Sequence, residues 1–248
     1  METINDVIHM IQPGVWMASV DLHHAYYSIP VHEPHRPYFS FLWKGSYYHY
    51  NCLPNGYAQA PMLFTKRYPF AYLRRQGHLS VIYMDDTYLQ GNSVSSCQRN
   101  IHATVNLLQD LGFNINEQKS VLIPTQTLEF LGFILNSVTM TLTLTPRRQT
   151  NLAEVCGKLL HQPQHTIRFV SAVIGMIIAA LPAVKHGALH YRSIEAEKTS
   201  ALHCNGGDYD AIMTISPLAQ VEVKWWYTHI YILVTIFCFH PPLLLLFT

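Results

Sequence analysis

The chain has 248 residues, 49% of them hydrophobic, enough to form the core of one large domain or two modest ones. A net charge of +1 excludes any inference about partners from total charge. The cysteines (Cys52, Cys97, Cys156, Cys204 and Cys238) are odd in number and lack zinc-ligand spacing, and they read as reduced, intracellular thiols.

In chain order, residues 5–12 read as a short helix and 15–22 as an apolar strand that delivers Asp21. Glu2 and Asp6 stand where the basic segment of a signal peptide would be, so none is expected and an intracellular location, cytoplasm or nucleus, follows. Tyr38 to Trp43 and Tyr47 to Cys52 read as strands with Gly45-Ser46 as the turn between them. Pro61 suits the first turn of a helix carrying Met62, Leu63, Phe64 and Lys66, which Pro69 kinks or interrupts. Residues 80–90 read as a tight hairpin with Asp85 and Asp86 at its tip.

Ser93 to Ser96 offers an N-cap for a helix whose face carries Cys97, Ile101, Val105 and Leu108, with Gly112 as its stop. Short strands are expected at 113–116, 120–123, 128–135 and 138–144. Thr145-Pro146 is a cap followed by a first-turn proline, opening a helix with Leu152, Val155, Cys156, Leu159 and Leu160. A second helix begins near Thr166 and stops at Pro182. From Trp225 to Thr248 there is no Asp, Glu, Lys or Arg, a run long enough to span a bilayer. His229, His240 and Pro241-Pro242 interrupt it, so a non-native end is preferred to a membrane anchor.

An isolated Asp-Asp is ordinarily a solvated turn. Here two apolar strands present the pair, and repulsion between adjacent acids then costs stability unless a cation neutralises them. Asp21 arrives on another strand. Strands from distant parts of the chain, each delivering an acid, can converge on a two-metal site with ions about 3.5–4 Å apart. The charge distribution agrees: from Arg36 to Arg192 there are 14 Lys or Arg against six Asp or Glu, a basic middle suited to a phosphate backbone.

The chain resembles the palm of a reverse transcriptase in five motifs, in order: Asp21 with Ala25-Tyr26; Leu53-Pro54-Asn55-Gly56-Tyr57-Ala58-Gln59-Ala60-Pro61; Tyr83-Met84-Asp85-Asp86; Leu111-Gly112-Phe113-Asn114-Ile115-Asn116 with Lys119; and Leu128-Glu129-Phe130-Leu131-Gly132-Phe133. The resemblance covers about residues 5 to 200 and is nearest to retrotransposon enzymes, of the tyrosine-recombinase (DIRS-like) group. It implies an α+β fold: a ferredoxin-like palm with vestigial fingers over 1–145, a helical thumb or connection over 146–205, and an unassigned apolar tail over 206–248.

The resemblance also implies roles. Asp21, Asp85 and Asp86 are catalytic and hold two Mg2+ ions, for which Mn2+ can substitute, and Lys119 is the candidate proton donor to pyrophosphate. Leu22, Tyr26, Asn55 and Gln59 face the incoming dNTP, Tyr26 excluding a 2′-hydroxyl. Asn55 departs from the Gln or Phe common at that point. Tyr83, Met84 and Pro61 lie along primer and template, and Phe130, Leu131 and Gly132 form the primer grip. Arg147, Arg148, Lys158 and Arg168 are candidate phosphate contacts. The expected partners are dNTPs and an RNA or DNA template with a DNA primer.

Family members usually carry many tens of residues of fingers before the first motif, whereas 20 precede Asp21 here, and no spaced set of acids after residue 205 suggests an RNase H domain. The expectation is a fragment of a retroelement polyprotein, with fingers and RNase H as complementing domains. The alternative is a catalytically inactive remnant that at most binds primer-template duplex.

Overall fold

The computed structural model describes residues 2–66, 69–162, 164–231 and 235–236. They divide into two compact units, one ending at Leu131 and the other beginning at Gly132. The boundary expected after residue 145 lies inside the second unit.

In the first unit, Asp6 accepts the Thr3 amide proton at 2.6 Å and caps helix α1 (Ile4–Met10). Strand β1 (Trp16–His23) follows. Met17 and Ala18 point to opposite faces of β1 and both are fully buried, so this strand is covered on both sides. A 3₁₀ segment, Glu33–Phe39, leads into the hairpin of β2 (Ser40–Trp43) and β3 (Ser46–His49). Its turn is Lys44-Gly45, both at positive φ (48° and 78°), one residue earlier than the sequence suggests. Two residues in that conformation match the twist of the flanking strands.

The helix expected to be kinked or interrupted at Pro69 is divided into α2 (Ala60–Lys66) and α3 (Pro69–Arg75). Residues 67–68, between them, lie outside the described residues. Then come β4 (Leu79–Tyr83), β5 (Asp86–Gly91) and α4 (Val94–Asp110). Ser93 caps α4, its Oγ accepting from the Ser96 amide at 3.1 Å. The helix ends as expected at Gly112, φ 83°. Phe113 N–H donates to Leu108 C=O and Gly112 N–H to Gln109 C=O, both at 2.9 Å, which satisfies two of the last carbonyls. Strands β6 (Asn114–Ile115), β7 (Val121–Thr125) and β8 (Thr127–Phe130) complete the unit.

The sheet runs β4-β5-β1, with β6 and β7 sharing the far edge of β1, all antiparallel. One core cluster joins Ala18, Val20 and Leu22 of β1 to Ile82 and Leu89 of the hairpin and to Cys97, Ile101 and Leu108 of α4. Phe64, Phe70 and Leu73 join it from α2 and α3. This is the α+β layering expected of a ferredoxin-like palm. Two details of α4 differ from the expected face. Thr104 is fully buried while Val105 is only half-buried, and Asn100 is buried with its amide donating to Leu79 C=O at 2.8 Å and Gln90 C=O at 3.0 Å.

The expected strand 128–135 is broken. Leu131 and Gly132 both sit at positive φ (49° and 75°), a turn that no continuous strand can contain. The second unit opens with β9 (Phe133–Asn136) and β10 (Thr141–Leu144), an antiparallel hairpin shorter than the 138–144 strand expected. Helix α5 (Pro146–His161) is capped by Thr145, as expected. Strand β11 (Gln164–Thr166) leads into α6 (Ile167–Ala180), where Thr166 Oγ1 accepts from Phe169 N–H at 3.2 Å.

Helix α7 (Arg192–Cys204), β12 (Ile212–Thr214), α8 (Pro217–His229) and β13 (Thr235–Ile236) follow. Residues 206–231 are therefore not an unassigned tail. Strand β12 pairs with β11, and α8 buries Ala219, Glu222, Val223 and Trp226. Glu222 accepts the Ser193 and Ile194 amides at the start of α7, and Trp226 Nε1 donates to His190 C=O at 2.8 Å. Among the described residues no helix is long and apolar enough to cross a membrane, and residues 237–248 lie outside them.

Candidate active site

The site is built at one end of β1. In the β1–β5 ladder Asp21 pairs directly with Asp86, and in the β4–β5 ladder Asp86 pairs with Tyr83. Met84 and Asp85 are thus a two-residue turn, with Met84 at φ 54°. Positive φ in a residue with a long side chain is strained, and such strain gathers at functional sites. Asp85 is exposed, while Asp86 and Asp21 are half-buried.

The backbone of Asp21 is held from the opposite edge. Its N–H donates to Ser120 Oγ at 3.0 Å, and its carbonyl accepts from Asn116 N–H at 2.9 Å. Asp21 Oδ1 is buried without a hydrogen-bond partner, a condition that costs free energy unless another group satisfies it. The Asp86 carboxyl is pushed up to about 6, first by burial, then by the charges of Asp85 and Asp21 and a hydrogen bond with Asp21, with Lys119 opposing. Burial, then the nearby Asp85 and Tyr83, raise the Tyr26 phenol. Its ring meets Phe64 edge-on at 6.0 Å.

Tyr26 therefore lies within electrostatic reach of Asp85 and Tyr83, and Asp86 within reach of Asp85, Asp21 and Lys119. Asn55 is exposed and donates to the Tyr27 hydroxyl at 3.1 Å, and Gln59 accepts from Tyr57 at 3.0 Å. Pro61 is half-buried in the first turn of α2. Leu22 and Phe130 have their side chains in the core, each 3% exposed, so from Leu22 only the main chain could meet a ligand.

In the second unit, a Cβ on Gly132 would collide with the Arg148 side chain, 2.6 Å from its Nε. The Arg148 guanidinium lies 4.9 Å over the Phe133 ring. Arg168 is bidentate to Asp210 at 2.8 and 3.0 Å. Arg168 is thus engaged within the unit, Arg148 Nη1 is buried without a hydrogen-bond partner, and Arg147 and Lys158 are exposed.

Among the described residues, no group of three His, Cys, Asp or Glu side chains stands ready to hold a metal ion. The donor chemistry of the acids nevertheless suits one: Asp21 Oδ1 is a buried carboxylate oxygen without a partner, and hard cations take oxygen donors. Sequence reasoning missed Ser120 and Tyr27, which act through partners distant in the chain with no local pattern to mark them, and it placed Asn116 in a motif without its main-chain bond to Asp21.

Residues 2–135 match the family described as "Reverse transcriptase (RNA-dependent DNA polymerase)". The chain is 25% identical over 200 residues to the Gag-Pol polyprotein of walleye dermal sarcoma virus, covering 77% of this chain and 11% of that one. It is 28% identical over 141 residues to the Gag-Pro-Pol polyprotein of human T-cell leukemia virus 2, covering 52% of this chain and 10% of that one. It thus spans about a tenth of the curated relatives it matches. In fold it is similar to a foamy viral protease-reverse transcriptase dRH in complex with double-stranded DNA, with a TM-score of 0.73 at 16% identity over 94% of this chain and 38% of that one. A foamy viral protease-reverse transcriptase in complex with an RNA/DNA hybrid gives 0.69 at 17% identity over 91% and 29%. These relatives are viral and do not bear on the tyrosine-recombinase expectation.

Proposed function

Because the chain belongs to the reverse transcriptase (RNA-dependent DNA polymerase) family, we propose that it transfers a nucleotide from a dNTP to a primer 3′-hydroxyl, as the palm of an RNA-directed DNA polymerase followed by a helical thumb. The observation that most supports this is the direct pairing of Asp21 with Asp86 beside the Asp85 turn. It gathers three acids where burial first, and then the charges of Asp85 and Asp21, hold the Asp86 carboxyl at about 6.

Asp21 and Asp85 would hold two Mg2+ ions, or Mn2+ in their place, and Asp86 would take a smaller share. When bound, the ions lower the pKa of the primer hydroxyl and neutralise the triphosphate and its leaving group. The protein's part is preorganisation. The β1–β5 ladder and the Ser120 and Asn116 hydrogen bonds fix the Asp21 main chain before substrate arrives, and charge already in place needs no reorganisation during reaction.

The Tyr26 ring closes the space beside the sugar 2′-carbon, so a ribonucleotide clashes. The Leu22 main chain, Asn55 and Gln59 form the floor beneath the dNTP. Lys119 gives a proton to the leaving pyrophosphate. Tyr83 and Met84 pack under the primer terminus and Pro61 lies on the template path. Leu131, Gly132 and the main chain of Phe130, whose side chain is buried, grip the primer, and Arg147 and Lys158 meet duplex phosphates.

Incorporation of labelled dNTP on primed RNA and primed DNA templates, with Mg2+, Mn2+ or EDTA, tests this reading. Extension with either ion and none in EDTA is expected. Metal-independent incorporation would overturn it.

A further inference from the structure

Arg147 and Arg148 are neighbours in the first turn of α5, yet their side chains go to different places. Arg147 is exposed. The Arg148 side chain lies against the turn that opens the second unit. A Cβ on Gly132 would fall 2.6 Å from Arg148 Nε and 2.9 Å from its Cδ and Cζ, so only a glycine leaves room for it there. The guanidinium also rests 4.9 Å over the Phe133 ring, whose face attracts a cation.

The remaining surroundings of Arg148 are apolar. It lines a cavity of about 80 Å³ together with Leu144, Leu152, Met176, Ala179 and Ala180. Its Nη1 is buried without a hydrogen-bond partner, and burial lowers the guanidinium's pKa. A cation that meets a phosphate backbone stands where the backbone can reach it, as Arg147 does. Arg148 is instead used as a packing group, its stem and plane filling the space beside Gly132.

The main chain makes the same link. Thr145 N–H donates to Gly132 C=O at 3.3 Å, and Thr145 Oγ1 accepts from Arg148 N–H at 3.4 Å to cap α5. One helical turn therefore reaches Gly132 twice, through the Thr145 backbone and through the Arg148 side chain. Gly132 sits at φ 75° between β8 and β9, outside either strand, so its shape depends on what packs against it.

We infer that Arg148 is a positioning residue: it braces the Gly132 turn and through that turn sets where the primer terminus lies. The role of the primer rests on the polymerase reading, and the brace rests on the geometry alone. The two arginines thereby divide the work, Arg147 meeting phosphate and Arg148 holding the turn.

The test compares the full wild-type chain with Arg147→Ala, Arg148→Ala and Arg148→Met. Methionine fills irregular apolar space without charge, so it keeps a brace and would abolish a phosphate contact. In anisotropy titrations of labelled duplex at several salt concentrations, Arg147→Ala should lower the salt slope by about one, and both Arg148 variants should leave it unchanged. Exchange of the Thr145 amide should quicken about tenfold in Arg148→Ala and stay near the wild type in Arg148→Met, with the α4 amides unmoved in both. A primer ending in 2-aminopurine, bound in EDTA, should change its fluorescence in Arg148→Ala and return toward the wild type in Arg148→Met. A salt slope lowered in both Arg148 variants would overturn the inference. So would unaltered Thr145 exchange or 2-aminopurine fluorescence in Arg148→Ala, or faster exchange spread equally into α4.

Primer extension by the same proteins separates this inference from the reading it rests on. Arg148→Ala should slow extension about ten- to a hundredfold, the scale of a misplaced reactant, with duplex affinity unchanged. Wild-type extension matched by Arg148→Ala sinks only the positioning role. No extension by the wild type, with the exchange and fluorescence results as expected, sinks only the polymerase.

Discussion

Asp21 and Asp86 are directly opposed residues of the β1–β5 ladder, and the Asp86 carboxyl is raised to about 6 in consequence of burial and of its acidic neighbours. Like charges directly opposite in a sheet are destabilising. A fold that brings them together pays in stability for an arrangement useful only when a cation or a proton sits between them.

That cost has a pH signature. Asp86 binds its proton more tightly folded than unfolded, because its carboxyl rises from 3.8 to about 6. The proton-linked stability is therefore complete below pH 4 and is lost as pH rises through 6. The full shift corresponds to about 3 kcal/mol, which solvent screening of this half-buried group reduces to on the order of 1–2 kcal/mol. Thermal denaturation in EDTA should show Asp86→Asn flattening the decline between pH 4 and 7 and raising Tm at pH 7. Mg2+ should raise the wild-type Tm at pH 7 and act much less on the variant.

Sugar choice should rest on Tyr26. Tyr26→Val should admit ribonucleotides, improving rNTP use relative to dNTP about ten- to a hundredfold, the scale of a removed pocket contact. Tyr26→Phe should keep the wild-type preference, since the ring and not the hydroxyl makes the clash. Competition between rNTP and dNTP in single-nucleotide extension reads this directly.

Gly91 marks the tightest approach between the sheet and α4. A Cβ there would collide with the backbone nitrogen of Cys97 and would lie 2.8 Å from the Cys97 Cα and the Ser96 carbonyl carbon. Those atoms belong to the first turn of a capped helix and cannot move as a side-chain tip can. Gly91→Ala should destabilise the chain by about 1–3 kcal/mol, seen as a lower urea midpoint with an unchanged slope.

Asn100 ties α4 to two strands through Leu79 C=O and Gln90 C=O. Asn100→Ala leaves both carbonyls without that donor and should cost about 1–3 kcal/mol for each one left unsatisfied. Amide hydrogen exchange should show the loss concentrated in β4 and β5.

Much of this was legible in the chain, for reasons that differ by element. The hairpin carrying Asp85 and Asp86, although its tip is Met84-Asp85 and not the two acids, the β1 strand, and the Ser93 and Thr145 caps follow from local chemistry, and local chemistry is what a sequence displays. The turn at Leu131-Gly132 was hidden because Phe130 and Phe133 on either side read as one apolar run, and only the left-handed backbone breaks it. Helix α8 was obscured by the uncharged tail that begins within it, although Ser216-Pro217 and the spacing of Ala219, Val223 and Trp226 carry an ordinary helix signal.

At the site, the acids and Tyr26 could be named because their motif stands in the chain. Ser120 could not. Its bond to Asp21 spans 99 residues, and nothing near it signals that role. The Asn55–Tyr27 pair, 28 residues apart, was hidden in the same way.

The most direct measurement compares the wild type with Asp85→Asn in primer extension on an RNA template with Mg2+, duplex binding being measured on the same preparations. Asp85 is exposed in a turn, so the substitution leaves the fold intact. The account predicts extension by the wild type, loss of extension in the variant, and equal duplex binding by both. Equal extension by the two proteins, or none by either while both bind duplex, would contradict it.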